Sequence, residues 1–389
     1  MKPKLYPRAI QKRLISNQRS VLLLGPRQVG KSTLLASLSP DWSLNLASAS
    51  VYRDYVREPE RLERELAAAP ATTRTVLIDE VQKLPALLDS IQHVIDNNPK
   101  RFRFLLSGSS ARKLRRGHAN LLPGRIHLFL LHPLLECELG NSFDLERAMA
   151  HGTLPGIYAE TDADTRAADL RSYTDAYLRE EVQAEALVRD LGGYARLLDL
   201  VAAGSGNILN LQSLCREAGI SYETARRYLE ILEDTLLIFR VPAWSGSDRA
   251  SLIAHPRIYI FDIGVRNALL RRPLDKPLAD ERGLLLEHIV AYELHNRLST
   301  LWPDAKLYHF RTRNDVEVDF VLEVDRELWG IEVKAARQVS RHDCKGLAAL
   351  GERTKQLKRQ IIVYLGDRAQ RIGNVEVLPL IEFLGELPR

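Results

Sequence analysis

The sequence predicts an α/β protein with a P-loop nucleotide-binding core, a helical middle and a mixed α/β C-terminal part. Three observations carry that expectation. The short apolar run Val21-Leu-Leu-Leu24 leads into Gly25-Pro-Arg-Gln-Val-Gly30-Lys31-Ser32-Thr33 and then into an apolar-periodic stretch from Leu34. That is the strand, glycine loop and helix context which a GxxxxGK motif followed by Ser or Thr requires. A second buried-type strand, Thr75-Val-Leu-Ile78, ends in Asp79 and Glu80. Towards the end of the chain, Val316–Val321 alternates as a strand does, and Leu328–Lys334 follows after a turn at Glu323–Glu327.

The chain has 389 residues, enough for two or three domains. Its 45% apolar and 27% charged residues exclude a disordered or fibrous class. Cys137, Cys215 and Cys344 are far apart and form no CxxC pair. Neither a zinc site nor a disulfide framework is expected, and a reducing cytoplasm is the expected location. Met1–Tyr6 lacks the apolar core of a signal peptide. Val21–Leu24, Leu128–Leu131 and Ile361–Leu365 fall far short of the roughly 20 residues a membrane span needs, so no membrane partner is expected. A net charge of +5 and a pI near 9 point only weakly to nucleic acid.

Texture changes along the chain without repeats or low-complexity tracts. Residues 1–140 alternate strands and amphipathic helices, 141–203 and 204–245 are mostly helical, and 246–389 return to mixed structure. Gly204-Ser-Gly206 and Gly246-Ser-Asp-Arg249 are the expected turns.

The phosphate loop sets the first function. Its glycines let the backbone turn tightly, so that amide N–H groups face phosphates. Gly25, Pro26, Arg27, Gln28, Val29, Gly30, Lys31, Ser32 and Thr33 are the candidate nucleotide contacts. Lys31 would neutralise the β- and γ-phosphates, and the Ser32 hydroxyl would bind Mg²⁺. ATP and Mg²⁺ are therefore the expected ligands. Asp79, at a strand tip, would hold the ion through water, and Glu80 would orient or deprotonate the attacking water.

A third strand, Arg103-Phe-Leu-Leu-Ser107, ends in hydroxyls, and Ser107 or Ser109 is the expected γ-phosphate sensor. The basic loop Arg112-Lys113-Leu-Arg115-Arg116 suits either nucleic acid or the phosphate of a neighbouring subunit. Arg125, after Pro123-Gly124, is the finger candidate, in cis or in trans.

Gly25–Leu35, Leu77–Gln82, Leu106–Ser110, Gly124-Arg125 and Leu130–Glu136 resemble one group of AAA-like ATPases of the AAA+ superfamily, widespread in bacteria and archaea. So do Gly152–Tyr158, Ser172–Tyr177, Ile260–Arg266 and Glu317–Phe320, so that the resemblance spans nearly the whole chain. It implies a C-terminal domain of unknown function with a PD-(D/E)XK nuclease-like, or restriction-endonuclease-like, fold.

In the middle, Asn210–Glu217 reads as a helix, Ala218-Gly219-Ile220 as a turn, Ser221 as an N-cap, Tyr222–Glu233 as a second helix and Leu236–Val241 as a strand. That is a helix-turn-helix with a wing. Arg226 and Arg227 fall on the second helix, where DNA readers place contacting side chains; protein docking is the alternative use.

Near the end, Gly283–Leu294 reads as an amphipathic helix carrying Glu287. Strict alternation puts Glu317 and Asp319 on one strand face and Val316, Val318 and Phe320 on the other. Glu332 and Lys334 share a face of the next strand. Glu287, Asp319 and Glu332 are candidate ligands for a divalent cation, since hard cations prefer oxygen. Lys334 would activate water or stabilise the phosphodiester transition state. The order helix-borne Glu287, Asp319, Glu332-x-Lys334 resembles the PD-(D/E)XK motif, with cleavage and mere binding both open.

The expected function is an ATPase acting on DNA, branched or broken DNA included, as a homo-oligomeric ring whose size is open, a hexamer among the options. A nucleotide-gated signalling or defence switch and a protein scaffold are the alternatives.

Overall fold

The computed structural model describes residues 5–109, 124–184, 190–245 and 254–388. Ser110, the basic loop 112–116 and the turn 246–249 lie outside the described residues. The chain forms two compact units: Tyr6–Pro133 with Glu230–Leu237, and Met1–Leu5 with Leu134–Leu229 and Ile238–Arg389.

The first unit holds a five-stranded sheet built from β1 (Ser20–Leu24), β2 (Trp42–Asn45), β3 (Thr75–Asp79), β4 (Arg103–Gly108) and β5 (Ile126–Leu130). The order is β2-β3-β4-β1-β5 and every pairing is parallel. The three central strands are apolar on both faces and buried on both, as a helix-covered parallel sheet demands. Each fully buried Leu or Phe there, such as Leu23 or Phe104, contributes about 1.5–3 kcal/mol. β4 lies between β1 and β3, so Ser107 pairs with Leu23 on one side while its strand pairs with β3 on the other. The sequence reading did not anticipate β2. As an edge strand it buries only Leu44, so it has no apolar run to reveal it.

The second unit begins with helices, among them Leu145–His151, Leu191–Ala203 and Leu211–Ala218, and Tyr222–Asp234 follows. β6 (Ile238–Val241) starts two residues later than expected, after Leu236 takes a left-handed φ of 61°. It pairs antiparallel with β7 (Arg257–Ile260). Two glycine-bearing segments meet here. Asp262 caps the helix Ile263–Leu269 through Val265 N–H (3.0 Å) and also accepts from Thr153 N–H (2.8 Å). Gly152 and Gly264 leave the room this needs: a Cβ on Gly264 would stand 1.9 Å from the His151 carbonyl oxygen. Burial pushes the Asp262 carboxyl up to about 6, while these N–H donors work in the opposite direction.

The C-terminal sheet contains β8 (Lys306–Arg311), β9 (Glu317–Val324), β10 (Glu327–Lys334), β11 (Leu357–Tyr364), β12 (Gln370–Ile372) and β13 (Val375–Pro379), in the order β12-β13-β11-β10-β9-β8. β8, β9 and β10 form an antiparallel meander, and β10, β11 and β13 run parallel. The β9–β10 hairpin turns through Asp325 and Arg326, both at positive φ, as a two-residue primed turn requires. The long helix Arg282–Leu301 packs Leu286, Ile289 and Val290 onto the sheet face that carries Phe320, Leu322 and Ile331.

One expectation about β9 is corrected. Tyr308 pairs with Val321 but Phe310 pairs with Val318, so β9 carries an extra residue between them. A bulge of this kind breaks the two-residue period. Val318 therefore enters one core cluster and Phe320 the other, instead of sharing a face. Among the described residues, no helix is long and apolar enough to cross a membrane.

Candidate functional site

The phosphate loop leaves the carboxyl end of β1. Gly25 is required by close approach: a Cβ there would lie 2.2 Å from the Leu131 carbonyl oxygen. Gly30 at φ 91° and Gln28 at φ 62° turn the loop back over the start of the helix Lys31–Ala36. Val29 is buried beneath it. Lys31 is only 6% exposed, and its ammonium donates to the carbonyls of Gly25 (2.9 Å) and Pro26 (2.7 Å). Ser32 and Thr33 are exposed, while Pro26 is buried and Arg27 partly so.

The β3 tip is wired to this loop. Ser32 donates to Asp79 Oδ1 at 2.9 Å. Ser107, with no exposed surface, donates to the same Asp79 oxygen and accepts from the Glu80 backbone N–H at 3.0 Å. Its hydroxyl is thus committed to the two acids. Glu80 takes a left-handed φ of 61°, a conformation that costs about 1–3 kcal/mol and turns its side chain off the strand end. Gln82 Nε2 donates to Glu80 Oε2 (2.6 Å) and to Ser109 (3.0 Å). Gln82 Oε1 is buried without a partner among the described residues. The sequence reading gave Gln82 no role, although it lies within the acid-bearing motif.

Arg125 forms a two-pronged pair with Asp96, at 2.6 and 2.9 Å, and that contact holds the Asp96 carboxyl below its ordinary range. Arg8, also missed, reaches the loop from the N-terminal segment. Its guanidinium donates to the carbonyls of Val29 (2.7 Å), His132 (2.5 Å) and Pro133 (3.4 Å).

The helix-turn-helix residues take the expected places. Asn210 caps Leu211–Ala218, Gly219 ends it at φ 65°, and Ser221 accepts from Thr224 N–H at 3.2 Å. Ala225, Leu229 and Leu232 are buried. Arg226 and Arg227 are exposed on the outer face, with Glu223 3.7 Å from Arg226.

Glu287, Asp319, Glu332 and Lys334 also come together, around a residue the sequence reading did not single out. Arg257, 4% exposed, projects from β7 into the cluster. It meets Glu287 at 2.5 Å, Glu317 at 3.1 Å and Asp319 at 3.5 Å. Tyr259 donates to Glu287 (2.6 Å), Val333 N–H to Asp319 (2.8 Å) and Lys334 to Glu332 (2.7 Å). Burial pushes Glu287, Asp319 and Glu332 all upward, and the Asp319 charge adds to the rise at Glu287 and Glu332. Arg257 opposes the rise at Glu287 and Asp319, and Lys334 opposes it at Glu332.

The acids that the pattern marked as metal ligands thus share their space with a guanidinium. Among the described residues, no group of three or more His, Cys, Asp or Glu is placed to hold a metal ion. The positive charge in the midst of the acids is the Arg257 guanidinium. The only local sign of Arg257 in the sequence is a charged residue opening the apolar run Ile258-Tyr-Ile-Phe261.

Fold and loop define a class, an α/β chain with a parallel-sheet, P-loop AAA-like ATPase core and a C-terminal sheet domain. The comparisons agree. Residues 17–139 match the family described as AAA domain. Residues 142–276 and 282–383 match two domains of unknown function, DUF8612 and DUF4143. Uncharacterized proteins of Mycobacterium bovis and Mycobacterium tuberculosis are each 28% identical over 352 residues, covering 89% of this chain and 76% of theirs. Among solved structures, a signal transduction ATPase with a tetratricopeptide repeat sensor from Pyrococcus horikoshii is 12% identical with a TM-score of 0.30. That match covers 76% of this chain and 46% of the other, so the chain spans less than half of that structure. PCH-2 of C. elegans is 16% identical with a TM-score of 0.27, covering 59% of this chain and 65% of the other.

Proposed function

We propose that the chain hydrolyses ATP and acts on DNA as an oligomeric ring. The observation that carries the first part is the hydrogen-bonded path from Ser32 through Asp79 and Ser107 to Glu80. It joins the phosphate loop to two acids. The Ser32 hydroxyl and the Asp79 carboxylate are oxygen donors already in contact, which fits Mg²⁺ bound with a nucleotide. Bound there, the ion would neutralise charge across the β- and γ-phosphates.

The roles follow from position. Backbone amides of Gly25–Thr33 cradle phosphate, and Lys31 exchanges its loop carbonyls for phosphate oxygens. Glu80 orients or deprotonates the attacking water once Gln82 releases its carboxylate. Ser107 sets Asp79 and Glu80 relative to each other; this reading uses it as a positioning residue and leaves phosphate sensing to a neighbour such as Ser109. Arg125 acts as a finger across a subunit boundary, exchanging Asp96 for phosphate.

DNA action rests on the helix-turn-helix, with Arg226 and Arg227 exposed on its second helix, and on the basic balance of +5. The functional division we propose is an ATPase core at 1–140, a helical lid at 141–203, a winged helix at 204–245 and a nuclease-like domain at 246–389.

The test is the rate of ATP turnover alone and with single-stranded, duplex, forked and four-way DNA. At least one DNA is expected to raise the rate about tenfold, roughly 1.4 kcal/mol of barrier. The increase should be lost when Arg226 and Arg227 are both changed to alanine. Equal rates with every DNA contradict DNA action and leave the scaffold reading. Near-zero turnover with nucleotide retained through purification favours the switch.

A further inference from the structure

We propose that Arg257 is the resident cation of the C-terminal carboxylate cluster, standing where a nuclease of this sequence order would hold a divalent ion, and that the cluster binds no metal. The acidic pattern implies a cation. The structure supplies one covalently, from a strand outside the 282–383 match to the domain of unknown function.

Oxygen occupancy makes the case. The six oxygens of Glu287, Asp319 and Glu332 are the ligands a metal would need. Glu287 Oε1 accepts from Arg257 and Tyr259. Asp319 Oδ1 faces Arg257, and Asp319 Oδ2 accepts from Val333 N–H. Glu332 Oε1 accepts from Lys334. Four of the six are therefore committed to protein donors. The two that remain, Glu287 Oε2 and the buried Glu332 Oε2, come from two different carboxylates, and two oxygens fall short of the roughly six to eight that a hard divalent ion takes.

Charge agrees with occupancy. Fully ionised, Glu287, Glu317, Asp319 and Glu332 bring at most four negative charges, and burial lowers that number. Arg257, Lys334 and Arg311, which meets Glu317 at 3.2 Å, bring three positive ones. A divalent ion entering this set would stand beside a buried guanidinium whose like charge repels it. Arg257 also cannot leave easily, being 4% exposed and ion-paired to acids from the long helix and from β9. The cluster ties β7, the helix Arg282–Leu301, β9 and β10 together, and the domain keeps the acid–lysine order without the ion that cleavage needs.

The inference does not rest on the ATPase or DNA reading, and its test needs neither nucleotide nor DNA. Mn²⁺ binding to the nucleotide-free full-length chain is measured by the loss of the free-ion electron paramagnetic resonance signal, in wild type, Asp319→Asn and Arg257→Met. Wild type and Asp319→Asn are expected to match. Arg257→Met, having lost the internal cation, is expected to bind Mn²⁺ at least about tenfold more tightly than wild type. If Arg257→Met does not fold, Arg257→Met with Glu287→Gln removes the stranded acid as well and takes its place. Wild-type Mn²⁺ binding that Asp319→Asn abolishes overturns the proposal. So does a folded Arg257 variant with no gain in Mn²⁺ binding, because the guanidinium would then not be what keeps the ion out.

Discussion

Ser107 occupies the one position on β4 from which a hydroxyl reaches both acids of β3. It donates to Asp79 and accepts from the Glu80 N–H, and it has no exposed surface. Removing the hydroxyl strands the Glu80 N–H, a cost of about 1–3 kcal/mol, and leaves Asp79 Oδ1 with the Ser32 hydroxyl alone. If that wiring positions the catalytic acids, Ser107→Ala should lower kcat about tenfold or more while KM for ATP changes little. A steady-state titration separates the two, and a rise in KM with kcat unchanged would place Ser107 in nucleotide binding instead. Lys31, Ser32, Asp79 and Glu80 could be singled out from sequence because a short motif beside an apolar strand carries their chemistry locally. Gln82, Arg8 and Arg257 could not be. Apart from the Gln82 contact with Glu80, their partners lie 27, 21 and 30 or more residues away and exist only once the chain is folded.

At the level of elements, the strands that announced themselves were those buried on both faces. β1, β3 and β4 read as apolar runs because helices cover them; β2, exposed at an edge, did not. The β9–β10 hairpin was legible from its alternation, but the bulge within β9 was not, because an inserted residue leaves no compositional trace. The junction between Gly152-Thr153 and Asp262-Ile-Gly264 is another contact that only the fold creates. It has the stricter geometry, since the Gly264 Cα faces a backbone carbonyl that cannot swing aside. Gly264→Ala should therefore destabilise the second unit by about 3 kcal/mol or more. Urea unfolding checks this, and a loss below about 0.5 kcal/mol would mean that the junction yields more readily than its packing suggests.

Across the whole molecule, two compact units divide the chemistry. The first carries a phosphate loop wired to two acids. The second carries the exposed Arg226 and Arg227 and a six-stranded sheet whose acidic cluster is already filled by an arginine. The proposed ATP turnover draws on the first unit, and the sharpest test is the separation of binding from hydrolysis there. ATP affinity and turnover are measured for wild type, Lys31→Ala and Glu80→Gln. Lys31→Ala is expected to lose at least about tenfold in affinity, since a phosphate is left without its lysine. Glu80→Gln is expected to keep affinity and lose about 10²-fold or more in turnover, the range for removing a general base. Hydrolysis at the wild-type rate in both variants would contradict the account, because no other described part of the chain offers this loop and these acids together.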